Sequence, residues 1–214
     1  MARILDAKCR LCRREGRKLF LKASRCYGPK CPIDRKGAIP PGQHGQKRRS
    51  KLSDYGKQLR EKQKVKRMYW LTERQIKGAF IKARKIISSK KLKEKIGAGE
   101  YLLKILENRL DNVVFRAGFA PSRLVARQVI SHGHVQVDGK KMSISSYQLK
   151  KEQVVTLSDS GMSIPLLKLT LEKKINPPAW IEKKGGAIKI LRLPERKEIE
   201  ADIDEQLIVE FYSR

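Results

Sequence analysis

Residues 109–139 read RLDNVVFRAGFAPSRLVARQVISHGHVQVDG, and this stretch decides the fold class. Leu110, Val113 and Val114 keep a helical period that begins at Leu102, Leu103 and Leu106. Gly118 can close that helix in the left-handed conformation. Ser122 can cap a second helix, in which Leu124, Val125, Val129 and Ile130 are apolar. After Gly133 the period changes from helical to alternating in His134–Val137. Asp138-Gly139 is then a strong two-residue hairpin signal, with a return over Lys140–Ile144. Val154–Leu157 is the best later strand. Two short helices, a hairpin and a further strand make a small α+β unit with its core in residues 107–160.

Working outward toward the N-terminus, Gly97-Ala98-Gly99 reads as a flexible joint. Before it, Thr72 and Gln75 match a capping box, with Leu71 and Ile76 placed for a hydrophobic staple. Ile76, Ala79, Phe80, Ala83 and Ile87 follow at helical spacing, and Arg74, Lys77, Lys82, Arg84 and Lys85 fall on the opposite faces. Ser53 heads another basic helix that ends near Met68–Trp70. Residues 32–52, with Pro40-Pro41-Gly42-Gln43-His44-Gly45 at their centre, read as an extended linker. Gly42–Gly45 matches a GxxG clamp, but the two preceding prolines argue against the helices such a clamp requires. At the other end of the chain, Asp204 can cap a last helix, on which Leu207, Ile208, Phe211 and Tyr212 share one face. That face is expected to meet Phe80 and its neighbours.

All four cysteines lie in the first 31 residues, as C-x2-C-x13-C-x4-C: Cys9, Cys12, Cys26 and Cys31. Two short-spaced pairs can place four thiolates at the corners of a tetrahedron, which suits a structural Zn²⁺ with no open coordination position. An iron–sulfur cluster uses the same ligands and is less favoured. Two disulfides, or four unrelated thiols, are the alternatives. The neighbouring Lys8, Arg10, Arg13, Arg14 and Lys30 should lower the thiol pKa values.

The 214 residues carry 50 Lys and Arg against 22 Asp and Glu, a formal charge of +28. It is graded along the chain: +12 over residues 1–50, +11 over 51–100, +5 over 101–150 and zero over 151–214. A chain so charged needs a polyanion, and nucleic acid is the expected partner. No apolar run is long enough for a membrane helix, and no signal-peptide core is seen at residues 1–8, so a cytoplasmic location is expected. The cations expected to face RNA are, in the arm, Arg10, Arg13, Arg14, Arg35, Lys36, His44, Lys47, Arg48 and Arg49. In the basic helices they are Lys57, Arg60, Lys64, Arg67 and Arg74. In the small unit they are Arg109, Arg116, Arg123, Arg127, His132, His134 and Lys140, with Ser122. No Walker loop, GxSxG elbow, HExxH or Rossmann fingerprint occurs, so no catalytic residue is assigned.

Residues 109–139 resemble the RNA-binding domain named after small-subunit ribosomal protein number four. That domain also occurs in pseudouridine synthases and some tyrosyl-tRNA synthetases. Pro40–Gly45, Asp54-Tyr55-Gly56, Gln58–Lys64 and the terminal LIVEFYSR (Leu207–Arg214) resemble the bacterial-type 30S ribosomal protein family itself, in its form with an N-terminal cysteine quartet. The resemblance implies a four-cysteine zinc arm (1–45), a helical rRNA-binding domain (46–98, completed by about 185–214) and an inserted α+β domain (99–184). It also implies a structural protein, not an enzyme and not a homo-oligomer. Such a protein binds a 5′-region junction of 16S rRNA, nucleates assembly of the subunit body and contacts ribosomal protein number five, with an effect on translational accuracy. It sits beside the point where mRNA enters, and some members repress their own mRNA. The competing functions are an RNA-modifying enzyme carrying the same small domain and a DNA-binding zinc protein. The first lacks residues for a catalytic domain, and the second lacks a recognition helix at finger spacing.

Overall fold

The computed structural model describes residues 6–46, 51–89, 96–173, 175–199 and 202–214. The chain forms two compact units, one from Met1–Gly99 with Asp202–Arg214, the other from Glu100–Ala201.

The first unit opens with α1 (Lys8–Glu15), α2 (Ser24–Tyr27) and α3 (Pro32–Lys36), followed by a 3₁₀ turn at Gln43–Gln46. The stretch expected to be extended from residue 32 is therefore partly helical. Pro32 stands at the first turn of α3, where its missing N–H costs nothing and its fixed φ suits a helix. Next come α4 (Asp54–Met68) and α5 (Glu73–Ser88). Ser53 caps α4 by accepting the Gly56 N–H at 3.2 Å. Thr72 and Gln75 close the capping box of α5 with bonds of 3.4 and 3.0 Å. Between the two helices Trp70 turns the chain with φ +54°, while Tyr69 and Leu71 are buried beside it.

The second unit has α6 (Ala98–Glu107), whose first residues still belong to the first unit, then α7 (Leu110–Arg116) and α8 (Arg123–Ser131). Then follow β1 (Val135–Val137), β2 (Lys140–Lys141), β3 (Val154–Leu157), α9 (Asp159–Met162), α10 (Pro165–Leu171), β4 (Ile181–Lys184) and β5 (Ala187–Ile190). The sheet is antiparallel, in the order β2-β1-β3-β5-β4. Asp138 and Gly139 have φ +50° and +75°, the pair of positive values a type I′ hairpin needs. Of the expected return strand, Lys140 and Lys141 form β2, and the Met142 N–H continues the pairing by donating to the Val135 carbonyl at 2.9 Å. Val135, Val155 and Ile188 project from successive strands into one core with Leu110, Val113, Ala126 and Ile130, and Trp180 is wholly buried there.

That core corrects the expected boundary. Residues 181–184 and 187–190 complete the sheet, so the small unit runs to residue 201. The segment returning to the helical unit is 202–214, not 185–214. The returning segment is helix α11 (Glu205–Ser213). Asp204 caps it by accepting the Gln206 and Leu207 N–H groups at 3.0 and 3.3 Å. It packs on α4 and buries Ile208. Phe211 lies over Tyr55 at 5.8 Å, and Tyr212 stacks on Phe80 at 5.1 Å. Gly99 is not a loose joint. A Cβ there would come within 2.7 Å of the Glu205 Cβ, so glycine permits the start of α6 to approach α11 closely.

Candidate nucleic-acid interface

The four cysteines meet in the arm. Cys9 and Cys12 come from α1, Cys26 from α2, and Cys31 stands just before α3. All four are free thiols lining one pocket with Lys18, Arg25, Pro32 and Ile33. The Lys22 backbone N–H donates to Cys26 Sγ at 3.2 Å. Among the described residues, no three His, Cys, Asp or Glu side chains are spaced to hold a metal ion. The expected depression of the thiol pKa values does not occur at Cys12 or Cys26. Burial pushes Cys12 up to about 11 and raises Cys26, and the neighbouring thiols add to both. The nearby Arg13 points elsewhere and donates to the Ile39 and Pro40 carbonyls at 2.9 and 3.1 Å.

One carboxylate ties the arm to the basic helices. The Glu15 side chain, 2% exposed, pairs with Arg60 at 3.3 Å and also with Arg67. Burial raises its pKa against the pull of both guanidiniums. Lys64 bridges Glu61 and the Asp202 carbonyl, each at 2.6 Å. Arg13, Arg60, Lys64 and Arg67, all expected to face RNA, are thus engaged inside their own unit. Arg10, Arg35, Lys36 and His44 are exposed or half-buried at the surface, as is Arg14, and Lys57 is exposed and paired with Asp54. Lys47, Arg48 and Arg49 lie outside the described residues.

Helix α5 has a cationic outer face. Arg74, Lys77, Lys82, Arg84 and Lys85 are exposed, and none forms an ion pair among the described residues. Ile76, Phe80 and Ala83 are buried on the other side. Of these five cations, the expected set of RNA-facing residues held only Arg74. The signal for the other four is the 3.6-residue period, which places them opposite the core.

In the second unit the arginines form a buried network. Arg109 grips Asp111 with two bonds of 3.0 and 2.9 Å, and Arg127 joins the same carboxylate at 3.1 Å. Arg116 makes two bonds to Glu107, at 3.1 and 2.9 Å. Asn112 donates to Glu107 and accepts from Arg123 Nε, each at 2.8 Å. Arg123 also lies over the Phe115 ring at 4.7 Å. Arg109 and Arg123 are only 6% and 7% exposed. Ser122 spends its hydroxyl on the Val125 N–H, as a helix cap. The groups that reach solvent are His132 and Lys140. His134 lies at the same edge, with Nδ1 3.2 Å from Ser160 Oγ.

Two arrangements emerge that can bind phosphate: a cationic helix face in one unit, and a His/Lys edge in the other. Residues 3–107 match the model of the ribosomal protein S4/S9 N-terminal domain, and residues 108–155 match the S4 domain. The small ribosomal subunit protein uS4 of Thermodesulfovibrio yellowstonii is 49% identical across the whole of both chains. The proteins of the same name from Thermoanaerobacter sp. and Thermus thermophilus are 47% and 43% identical, again over full length. With likeness of this degree from end to end, and both domain models matched in order, the chain belongs to the uS4 family of small ribosomal subunit proteins.

Proposed function

We propose that this chain is a structural, non-enzymatic component of the small ribosomal subunit in the cytoplasm, where it binds 16S rRNA and neighbouring subunit proteins. The observation that carries this reading is the full-length match to proteins named for that role. The cationic face of α5 supports it, because Lys and Arg side chains gain most from phosphate when no carboxylate neutralises them first. Shape and backbone contacts suit a folded RNA junction, whose deep A-form major groove admits no side chains. The 5′-region junction, the contact with protein uS5 and a place beside the mRNA path belong to the same proposal and rest on the family resemblance.

The proposal extends to one structural zinc ion held by Cys9, Cys12, Cys26 and Cys31. Convergence of the four thiols on one pocket supports it by supplying a four-sulfur donor set, and the N–H donated to Cys26 favours that ligand's thiolate form. The ion would cross-link α1, α2 and the start of α3. The test is affinity of the purified protein for the 16S rRNA 5′ domain across a salt series, with elemental analysis of the same sample. Binding that falls steeply with salt and exceeds binding to duplex DNA is expected. Equal affinity for the two nucleic acids would refute the rRNA reading, and a metal-free sample would refute the zinc.

A further inference from the structure

Phe20 and Tyr27 stack with ring centroids 5.0 Å apart and planes 26° from parallel. Neither ring lines the cysteine pocket. Tyr27 keeps 68% of its surface in solvent although it follows buried Cys26 directly, and it has a further contact besides the stack. The backbone works to present this pair. Phe20 has φ +50° and Ala23 φ +47°, values that bulky or Cβ-bearing residues adopt only under constraint. The constraint is visible on both sides of Phe20, where Leu19 and Leu21 are buried and fix the loop. An outlier of this kind is costly, so its persistence beside the exposed Tyr27 ring points to a use for the pair. Between Gly16 and Ile33 the chain has five cations and no acid; Arg17 and Lys18 pair with Asp202 and Asp34, while Lys22, Arg25 and Lys30 are exposed.

We propose that Tyr27, backed by Phe20, is a stacking platform for one unpaired nucleobase of the bound RNA, with the flanking phosphates held by Lys22, Arg25 and Lys30. This rests on the rRNA-binding reading above. A flat ring fixed in place at little entropic cost suits a splayed-out base, since every base has a π-face and the neighbouring cations meet its backbone. An apolar protein partner would have no use for three exposed cations, Lys22, Arg25 and Lys30, that pair with no acid among the described residues.

The test uses the full-length protein and a 16S rRNA 5′-domain transcript, with affinity measured across a salt series. Tyr27→Leu should weaken binding roughly 5- to 150-fold, the usual range for losing one base–aromatic stack. The salt slope should stay parallel to wild type, because stacking releases no counterions, whereas Arg25→Gln should flatten it. Tyr27→Phe should bind like wild type. Tyr27→Trp should bind, and its indole fluorescence should be quenched by the transcript, a reading that holds even if the Leu variant folds poorly. Wild-type affinity in Tyr27→Leu, or no quenching in Tyr27→Trp, overturns the platform and leaves the rRNA reading intact. A Tyr27→Leu defect seen only when other subunit proteins are present assigns the rings to a protein contact and overturns it equally. Failure of the wild-type protein to bind the transcript removes both.

Discussion

Tyr212 stacks on Phe80 and donates its hydroxyl proton to Glu73 Oε1 at 2.9 Å, so the end of the chain is latched to the first turn of α5. Lys62 and Lys66 of α4 reach the same carboxylate at 2.8 and 3.2 Å. Lys62 also lies over the Phe211 ring at 4.5 Å. The last helix is therefore part of the helical unit's core. Ile208→Ala is expected to destabilise that unit by about 2–5 kcal/mol, the range for emptying a fully buried aliphatic site. Tyr212→Phe, which keeps the stack and removes one hydrogen bond, should cost about 1 kcal/mol. Urea unfolding of the full chain measures both, and an unchanged midpoint for Ile208→Ala would refute the docking.

The latch should weaken in acid. Burial pushes the Glu73 carboxyl up, but the hydrogen bonds from Lys62, Tyr212 and Lys66 outweigh it and hold the group below the ordinary carboxylate range. A carboxyl depressed in the folded state stabilises the fold at pH above its unfolded value, about 4.3. That contribution fades as the pH falls through the lower folded value. Glu73→Gln should therefore be less stable than wild type at pH 7, with the gap closing toward pH 3. Unfolding midpoints compared over that range give the answer, and a gap independent of pH would exclude Glu73 as its source.

Arg123 should prove to be a stability residue first. With its guanidinium bonded to Asn112 and lying on Phe115, Arg123→Ala leaves Asn112 and the Glu107–Arg116 pair without part of their network. A loss of about 1–3 kcal/mol in the second unit is expected, the cost of leaving the buried Asn112 acceptor unsatisfied. Lys140→Ala, on the exposed hairpin, should leave stability unchanged within about 0.5 kcal/mol. Thermal unfolding followed at buried Trp180 distinguishes the two variants.

On α5, Lys77→Gln with Lys85→Gln should lower affinity for the rRNA transcript and reduce the salt slope by a little under one unit for each phosphate no longer neutralised. Stability should hardly move, since neither side chain forms an ion pair among the described residues. Equal slopes for wild type and the double variant would show that this face does not meet RNA.

Local signals are the readable part of this sequence. Ser53, Thr72 with Gln75, Ser122 and Asp204 all cap the helices expected of them, and Asp138-Gly139 makes its turn, because each acts through atoms a few residues away. Strands β4 and β5 are not legible in this way. Ile181-Glu182-Lys183-Lys184 has one apolar residue, and its partner follows a Gly-Gly pair, so neither segment alternates strongly before the two pair with each other and β3. The arginines show the larger limit. Arg74 and Arg123 look alike in a basic sequence. Only the fold shows that one stands on an open helix face and the other is enclosed with Asn112 and Phe115. The expected fall in the thiol pKa values fails for the same reason: sequence proximity to arginine is not spatial proximity, and burial dominates once Arg13 has turned to the Ile39 carbonyl.

Because the helical unit is assembled from both ends of the chain, with Arg17 and Lys64 gripping Asp202, the order of synthesis constrains the order of folding. Residues 100–201 can close their sheet as soon as β5 is made. The basic helices and the cysteine arm, though translated first, gain their last packing layer only once residues 202–214 have been made. During translation the most cationic half of the protein therefore exists without its lid, and the nascent chain carries a finished small domain beside an unfinished large one.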